Sequence, residues 1–303
     1  MSVIAQYGVA LVQQIEEIYP LSARVREAFL TTPRHAFLEP GGGCEREQWL
    51  REVYQDTAIL TKQDERGRPL SSSSQPSVMA WMLEALAVQP GMRVLEIGTG
   101  TGYNAALLTR LASDPAQVVT IEIDPALATL ARLRIEDVVG PGVTVVTGDG
   151  RLGTPEHGPY DRIIATASAF PVPSPWIAQL APAGRLVLDL RGNIGGGLIV
   201  ITKQADGSAT GHFLVVKETV SFMGVRATAE EGARVERFEL PLLQEQKLYT
   251  PETAEYACAC HFCSYEQFRG KDDAFNLWIQ CLFPSLSIKW IRREGRVCAR
   301  MVE

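Results

Sequence analysis

Three glycines at alternate positions, Gly98, Gly100 and Gly102, break the stretch RVLEIGTGTGYNAALLTRL that begins at Arg93. Glycines between an apolar run and a helix-like run let backbone N–H groups come close to a ligand. A dinucleotide fingerprint, G-x-G-x-x-G, needs a third glycine to pack helix on strand, and Tyr103 occupies that place. A phosphate-gripping loop is excluded, because no Gly-Lys-Ser/Thr follows. The carboxylates narrow the ligand further. Glu96 stands near the end of the first apolar run, where a negative charge repels a pyrophosphate and suits a cationic amine. In VVTIEID, Glu122 ends the second run, the place from which an acid takes two ribose hydroxyls. Asp124 reads instead as a helix N-cap followed by a first-turn Pro125. The third run ends in GDG, where Asp149 and Gly150 can border an adenine. These acids in this order describe S-adenosylmethionine, with Gly98, Thr99, Gly100, Tyr103 and Ile123 completing the contacts. NAD in a doubly wound fold is the alternative.

The elements that must position these residues are legible around them. From Arg93 onward, short β-type runs (RVLEIG, VVTIEI, VTVVTG, YDRIIATA, GRLVLDL) alternate with helical ones. Such alternation predicts βαβ units and a mostly parallel, doubly wound sheet. After residue 190 the texture changes, and Asp206-Gly207 marks a turn between two strands, closing the sheet with an antiparallel hairpin. The expected fold is Rossmann-like α/β, of the class I S-adenosylmethionine-dependent methyltransferase type. Upstream, amphipathic helical patterns give way to irregular segments. A run of four serines, Ser71, Ser72, Ser73 and Ser74, then leads through Gln75 and Pro76 into a helix. The domain reading is an N-terminal helical cap and substrate segment (1–76), a cofactor-binding domain (77–226) and a C-terminal extension (227–303).

Composition sets outer bounds. With 46% hydrophobic and 21% charged residues and a net charge of −6, the 303-residue chain does not have the surface of a phosphate-backbone binder. Nor does any Asn/Asp-Pro-Pro-aromatic segment follow DRIIATAS to clasp a flipped base, so no nucleic-acid partner is expected. No apolar run reaches membrane-spanning length, and no signal peptide opens the chain, so the expected setting is the cytoplasm with reduced thiols.

The ordered set SSSSQPSVMAWMLEAL, VLEIGTGTGYNAALLTRL, VVTIEID, VVTGDG, PYDRIIATAS and IAQLAPAGRLVL resembles the protein-L-isoaspartate O-methyltransferase family over about residues 25–225. The resemblance implies S-adenosylmethionine as methyl donor, S-adenosylhomocysteine as product, and a peptide carboxylate as acceptor. It places the family's active-site serine on Ser74, with Ser72, Ser73 and Gln75 beside it at the substrate. It places the cofactor contacts on Glu96, Gly98, Gly100, Glu122, Asp149 and Gly150. Two departures stand out: serines replace the Thr-Ile that usually precedes the active-site serine, and residues 226–303 extend past the usual end. Both resemble the branch that tailors ribosomally made peptides. There, an aspartate side chain of a precursor, here expected to be cyclised, is methylated and the ester closes to an aspartimide. General isoaspartyl repair is the alternative.

The residue types agree with this chemistry. A carboxylate is already nucleophilic at neutral pH, so no general base is required, and His35, His157, His212 and His261 are scattered. Ser74 is read as a donor that orients the acceptor, with a helix N-cap as its competing role. In the extension, CACHFC is too cramped for paired zinc knuckles, so no metal is expected. The aromatic run containing Trp278 is either a small core or a groove for an extended peptide, with Trp278 as a substrate contact.

Overall fold

The computed structural model describes residues 2–40, 45–191, 196–214, 222–226, 287–293 and 296–302. Trp278 and the cysteines at 258, 260 and 263 lie outside the described residues.

The N-terminal region is helical for local reasons. α1 (Val3–Ile18) is capped by Ser2, whose hydroxyl accepts from the Ala5 N–H, and it buries Leu11, Val12 and Ile15 on one face. α2 (Ala23–Thr31) is capped by Ser22 in the same way. A 3₁₀ turn at Arg34–Phe37 and α3 (Arg46–Val53) follow. The chain then forms a two-stranded antiparallel hairpin of β1 (Ile59–Gln63) and β2 (Pro69–Ser73), where the sequence had suggested irregular structure. The turn between them is tied by Asp64, whose carboxylate accepts from the backbone of Arg66 and Arg68. α4 (Pro76–Leu86) starts at the expected proline and is apolar almost all round, consistent with its burial.

From here the alternation continues as β3 (Val94–Ile97), α5 (Tyr103–Ala112), β4 (Val118–Glu122), α6 (Pro125–Val139) and β5 (Thr144–Thr147). It ends with β6 (Tyr160–Ala165), α7 (Ser174–Gln179), β7 (Leu180–Arg191), β8 (Gly196–Lys203) and β9 (Ala209–Phe213). The sheet order is β5-β4-β3-β6-β7-β8-β9. β5, β4, β3, β6 and β7 pair in parallel, and β8 with β9 antiparallel, with Gly207 at φ +85° in the turn between them. β3 is the first strand of this sheet, and the chain departs from it to β4 on one side and to β6 on the other. That reversal opens a crevice at the carboxyl ends of the strands, where open α/β sheets bind ligands.

Residues 1–189 and 198–234 form one compact unit; residues 190–197 and 235–303 form a second. In the second unit, β10 (Ser287–Arg293) and β11 (Arg296–Val302) pair antiparallel, with Ser287 opposite Val302 and Arg293 opposite Arg296. No helix among the described residues is long and apolar enough to cross a membrane.

Candidate functional site

A cavity of about 360 Å³ opens over the ends of β3 and β4, within the range of small-molecule sites. Its floor is the glycine turn. Gly98 sits at φ +94°, and a Cβ there would lie 2.8 Å from Thr166 Oγ1, so both conformation and space demand glycine. Gly102 caps α5 at φ +89°, and a Cβ there would lie 2.9 Å from Ile135 of α6, so its absence lets the helices pack, the duty that a third glycine has in dinucleotide folds. Tyr103, next in sequence, points into the interior against Phe29 and Phe37, at ring-centroid distances of 6.3 and 5.5 Å, while still bordering the cavity. Thr99 Oγ1 shares a 2.7 Å hydrogen bond with Thr120 Oγ1, tying the turn to β4.

The acidic groups differ in surroundings. Glu96 is fully buried; its oxygens accept from Asn104 Nδ2 at 2.8 Å and Thr120 Oγ1 at 2.6 Å. Burial pushes its pKa up to about 7, the two hydrogen bonds oppose that shift, and the Glu122 carboxylate adds to it. Glu122 accepts from the Gly100 N–H at 2.8 Å and the Asp124 N–H at 3.1 Å, which fixes its carboxylate at the cavity wall. Asp124 caps α6 as its sequence position predicts, accepting from Ala126 and Leu127 N–H, and pairs with Lys62 of β1. Ile123 and Gly150 line the cavity. Asp149 does not: its carboxylate caps the following 3₁₀ turn and is held by Arg151, which keeps its pKa below the ordinary carboxylate value.

The opposite wall is the serine segment. Ser72, Ser73, Ser74 and Gln75 all line the cavity, with Ser73 itself buried. A Cβ on Gly100 would come within 3.6 Å of the Ser72 carbonyl, so the segment lies close over the glycine turn. Its anchor is Arg34, whose side chain is wholly buried. Nη1 donates to the carbonyls of Val53 and Gln55, each at 2.9 Å; Nη2 donates to Thr57 O at 2.9 Å and Ser74 O at 3.1 Å. Gln75, not Ser74, is the N-cap of α4, and the side-chain cap comes from elsewhere: Asp56 Oδ1 accepts from the Ser77 N–H at 2.7 Å. Ser74 therefore has no part in the helix cap that its sequence position offered.

A third wall was not foreseen from the sequence. Phe222, Met223, Gly224, Val225 and Arg226 run beside Ser168, with Ser168 N–H donating to Met223 O and Val225 N–H to Ser168 O, both at 2.8 Å. The buried Asp189 accepts from the Phe222 N–H at 3.1 Å. No local pattern in SFMGVRA signals this return to the cavity.

The cavity passes one test for an amine- and hydroxyl-bearing ligand. Asn104 Oδ1 is a buried acceptor without a hydrogen-bond partner among the described residues, on a side chain that lines the cavity beside Glu96. A carboxylate also has more acceptor sites than the two donors that reach Glu122. A ligand donating N–H and O–H groups is what such walls lack.

Comparison with known proteins fits this geometry. The family model described as protein-L-isoaspartate(D-aspartate) O-methyltransferase matches residues 9–229. A protein-L-isoaspartate O-methyltransferase of Thermotoga maritima is 38% identical over 172 residues, covering 57% of this chain and 52% of that one. One from Methanoregula boonei is 40% identical over 185 residues, covering 61% and 77%. The chain thus spans about half the length of the Thermotoga relative. A solved protein-L-isoaspartate O-methyltransferase superposes with a TM-score of 0.61 at 31% identity, covering 72% of this chain and 66% of the other. A Plasmodium falciparum structure of the same name, in complex with S-adenosyl-L-homocysteine, gives 0.60 at 18% identity, covering 75% and 100%, a likeness of fold. The fold is that of the class I S-adenosylmethionine-dependent methyltransferases.

Proposed function

Since the chain belongs to the protein-L-isoaspartate O-methyltransferase family, we propose that it methylates an aspartate-derived carboxylate of a peptide, with S-adenosylmethionine as donor. The observation that carries this reading is the division of the cavity: buried acids over the glycine turn on one wall, a serine-rich strand end on the other. S-adenosylmethionine, when bound, supplies an electrophilic methyl group on a sulfonium. Glu122 accepts the ribose hydroxyls, and Glu96 with Asn104 Oδ1 accepts the ammonium. Gly98, Thr99, Gly100, Ile123 and Gly150 form the surface against which the rest of the cofactor lies; Tyr103 backs it from the core.

On the acceptor side, Ser74 donates its hydroxyl to the carboxylate oxygen that does not react, with Ser72, Ser73 and Gln75 around the peptide. Methylation of a carboxylate moves no proton, so positioning and exclusion of water are the protein's contribution. Ser74→Ala should therefore lower turnover by about tenfold or more while leaving S-adenosylhomocysteine affinity unchanged in calorimetry. A variant that keeps its rate and loses thermal stability would assign Ser74 to structure.

The finer reading is tailoring of a ribosomally made, cyclised precursor at one aspartate, the ester then closing to an aspartimide as the next backbone nitrogen displaces methanol. The four consecutive serines, and the residues beyond the family match, including Trp278, support it. The repair reading is favoured by the names of the relatives. Incubation with labelled S-adenosylmethionine and two acceptors separates them. Methylation of a matured precursor but not of short isoaspartyl peptides supports tailoring; efficient turnover of unrelated isoaspartyl peptides overturns it in favour of repair.

A further inference from the structure

The cavity poses an electrostatic problem for a carboxylate acceptor. Its acids, Glu96 and Glu122, serve the cofactor wall and offer an incoming anion no attraction, so a counter-charge for the acceptor must come from elsewhere in the lining. Among the described residues that line the cavity, Arg226 has the one cationic side chain. Resting on the acceptor reading above, we infer that Arg226 is the anchor for the acceptor's carboxylate and so selects anionic over neutral peptide side chains.

Its placement fits the role. Arg226 follows Phe222, Met223, Gly224 and Val225, the segment locked to Ser168 and to the buried Asp189. Its Nη2 donates to the Leu70 carbonyl at 3.1 Å, which sets the guanidinium beside the strand that ends in Ser73 and continues to Ser74. A cation on the third wall and a hydroxyl donor on the serine wall then border the same cavity. A guanidinium keeps its charge across the working pH range, and its fork suits carboxylate geometry.

The kinetic signature follows from charge. The acceptor is an anion before transfer and a neutral ester after it, so the carboxylate loses charge as the transition state is approached. A fixed cation stabilises the bound acceptor more than the transition state. Arg226 should therefore act on KM and leave kcat intact or slightly hindered.

The test uses the full chain with a synthetic isoaspartyl hexapeptide and its isoasparaginyl analogue, whose amide is neutral. Arg226→Gln keeps a donor for Leu70 and removes the charge; Arg226→Lys keeps the charge. Arg226→Gln should raise the KM for the isoaspartyl peptide about tenfold or more, with kcat within about twofold and S-adenosylhomocysteine affinity unchanged. It should also erase the wild type's preference for the acid over the amide as a bound ligand, and Arg226→Lys should restore most of both. An unchanged KM in Arg226→Gln overturns the anchor, as does an equal loss of cofactor affinity, which would make Arg226 only a strap for β2. A wild-type protein that methylates no carboxyl peptide overturns the acceptor reading itself and the anchor with it, an outcome distinct from an active wild type with an indifferent Arg226.

Discussion

Replacing Arg34 by methionine should cost about 3–5 kcal/mol of stability, on the scale of disrupting a buried ionic network, together with most of the activity. The loss comes from the groups that the guanidinium leaves behind. Its four Nη hydrogens serve the carbonyls of Val53, Gln55, Thr57 and Ser74, of which that of Gln55 also accepts the Thr57 N–H at 2.8 Å. The Val53 carbonyl, whose bond to Arg34 is buried, is stranded at a cost of about 1–3 kcal/mol. The part-buried carbonyls of Thr57 and Ser74 lose a charged donor, partly offset because the variant no longer buries a charge. Burial lowers the Arg34 pKa, the mark of that desolvation cost, and nearby Asp56 opposes it. Lysine should rescue poorly: three donors on a point charge cannot span four carbonyls set out for a planar fork. Chemical denaturation gives the stability change, and methyl transfer gives the second readout. A loss below about 1 kcal/mol, or an unaltered kcat, would show that the serine segment is held by other means.

Nothing in the sequence around Arg34 announces this role. In TTPRHAFLEP an arginine between a proline and a histidine reads as solvated surface, because charged residues almost never go wholly inside. Only the fold shows two segments, residues 53–57 and Ser74, presenting carbonyls to one point. Asp56 is similar: it caps α4 from 21 residues upstream, so no local signature announces it. The hairpin of β1 and β2 was also hidden, since its exposed positions and three serines lack the apolar alternation of a core strand. By contrast, the turn after β3, the acid ending β4 and the cap of α6 are each built within one strand–turn–helix unit. Their chemistry and their geometry arise from the same few residues, so spacing alone locates them. Asp149 marks the boundary of that rule: its position in GDG was legible, but Arg151, two residues on, competes for its carboxylate.

Glu96 should make cofactor binding depend on pH, with S-adenosylhomocysteine affinity falling about tenfold for each pH unit below 7. The carboxyl titrates near 4.5 when exposed and near 7 in the fold, chiefly because it is buried. It therefore binds its proton more tightly in the folded chain. Between pH 4.5 and 7 this group favours folding more strongly as pH falls. Above 7 its ionised form costs the ligand-free protein about 3 kcal/mol. An ammonium docked beside it reverses the preference, because it supplies the counter-charge that burial withholds. Binding below pH 7 must then expel a proton, and calorimetry in two buffers of different ionisation heat will count it. No histidine lines the cavity among the described residues, so Glu96 is the group expected to titrate there near neutrality. Glu96→Gln separates the two effects. It should stabilise the ligand-free protein at pH 8, weaken S-adenosylhomocysteine binding there, and flatten the affinity between pH 6 and 8. A wild-type affinity that varies by less than about twofold over that range would place the ammonium elsewhere in the cavity. Glu96 would then be a structural acid, held neutral by its burial, whose work is to orient Asn104 and Thr120.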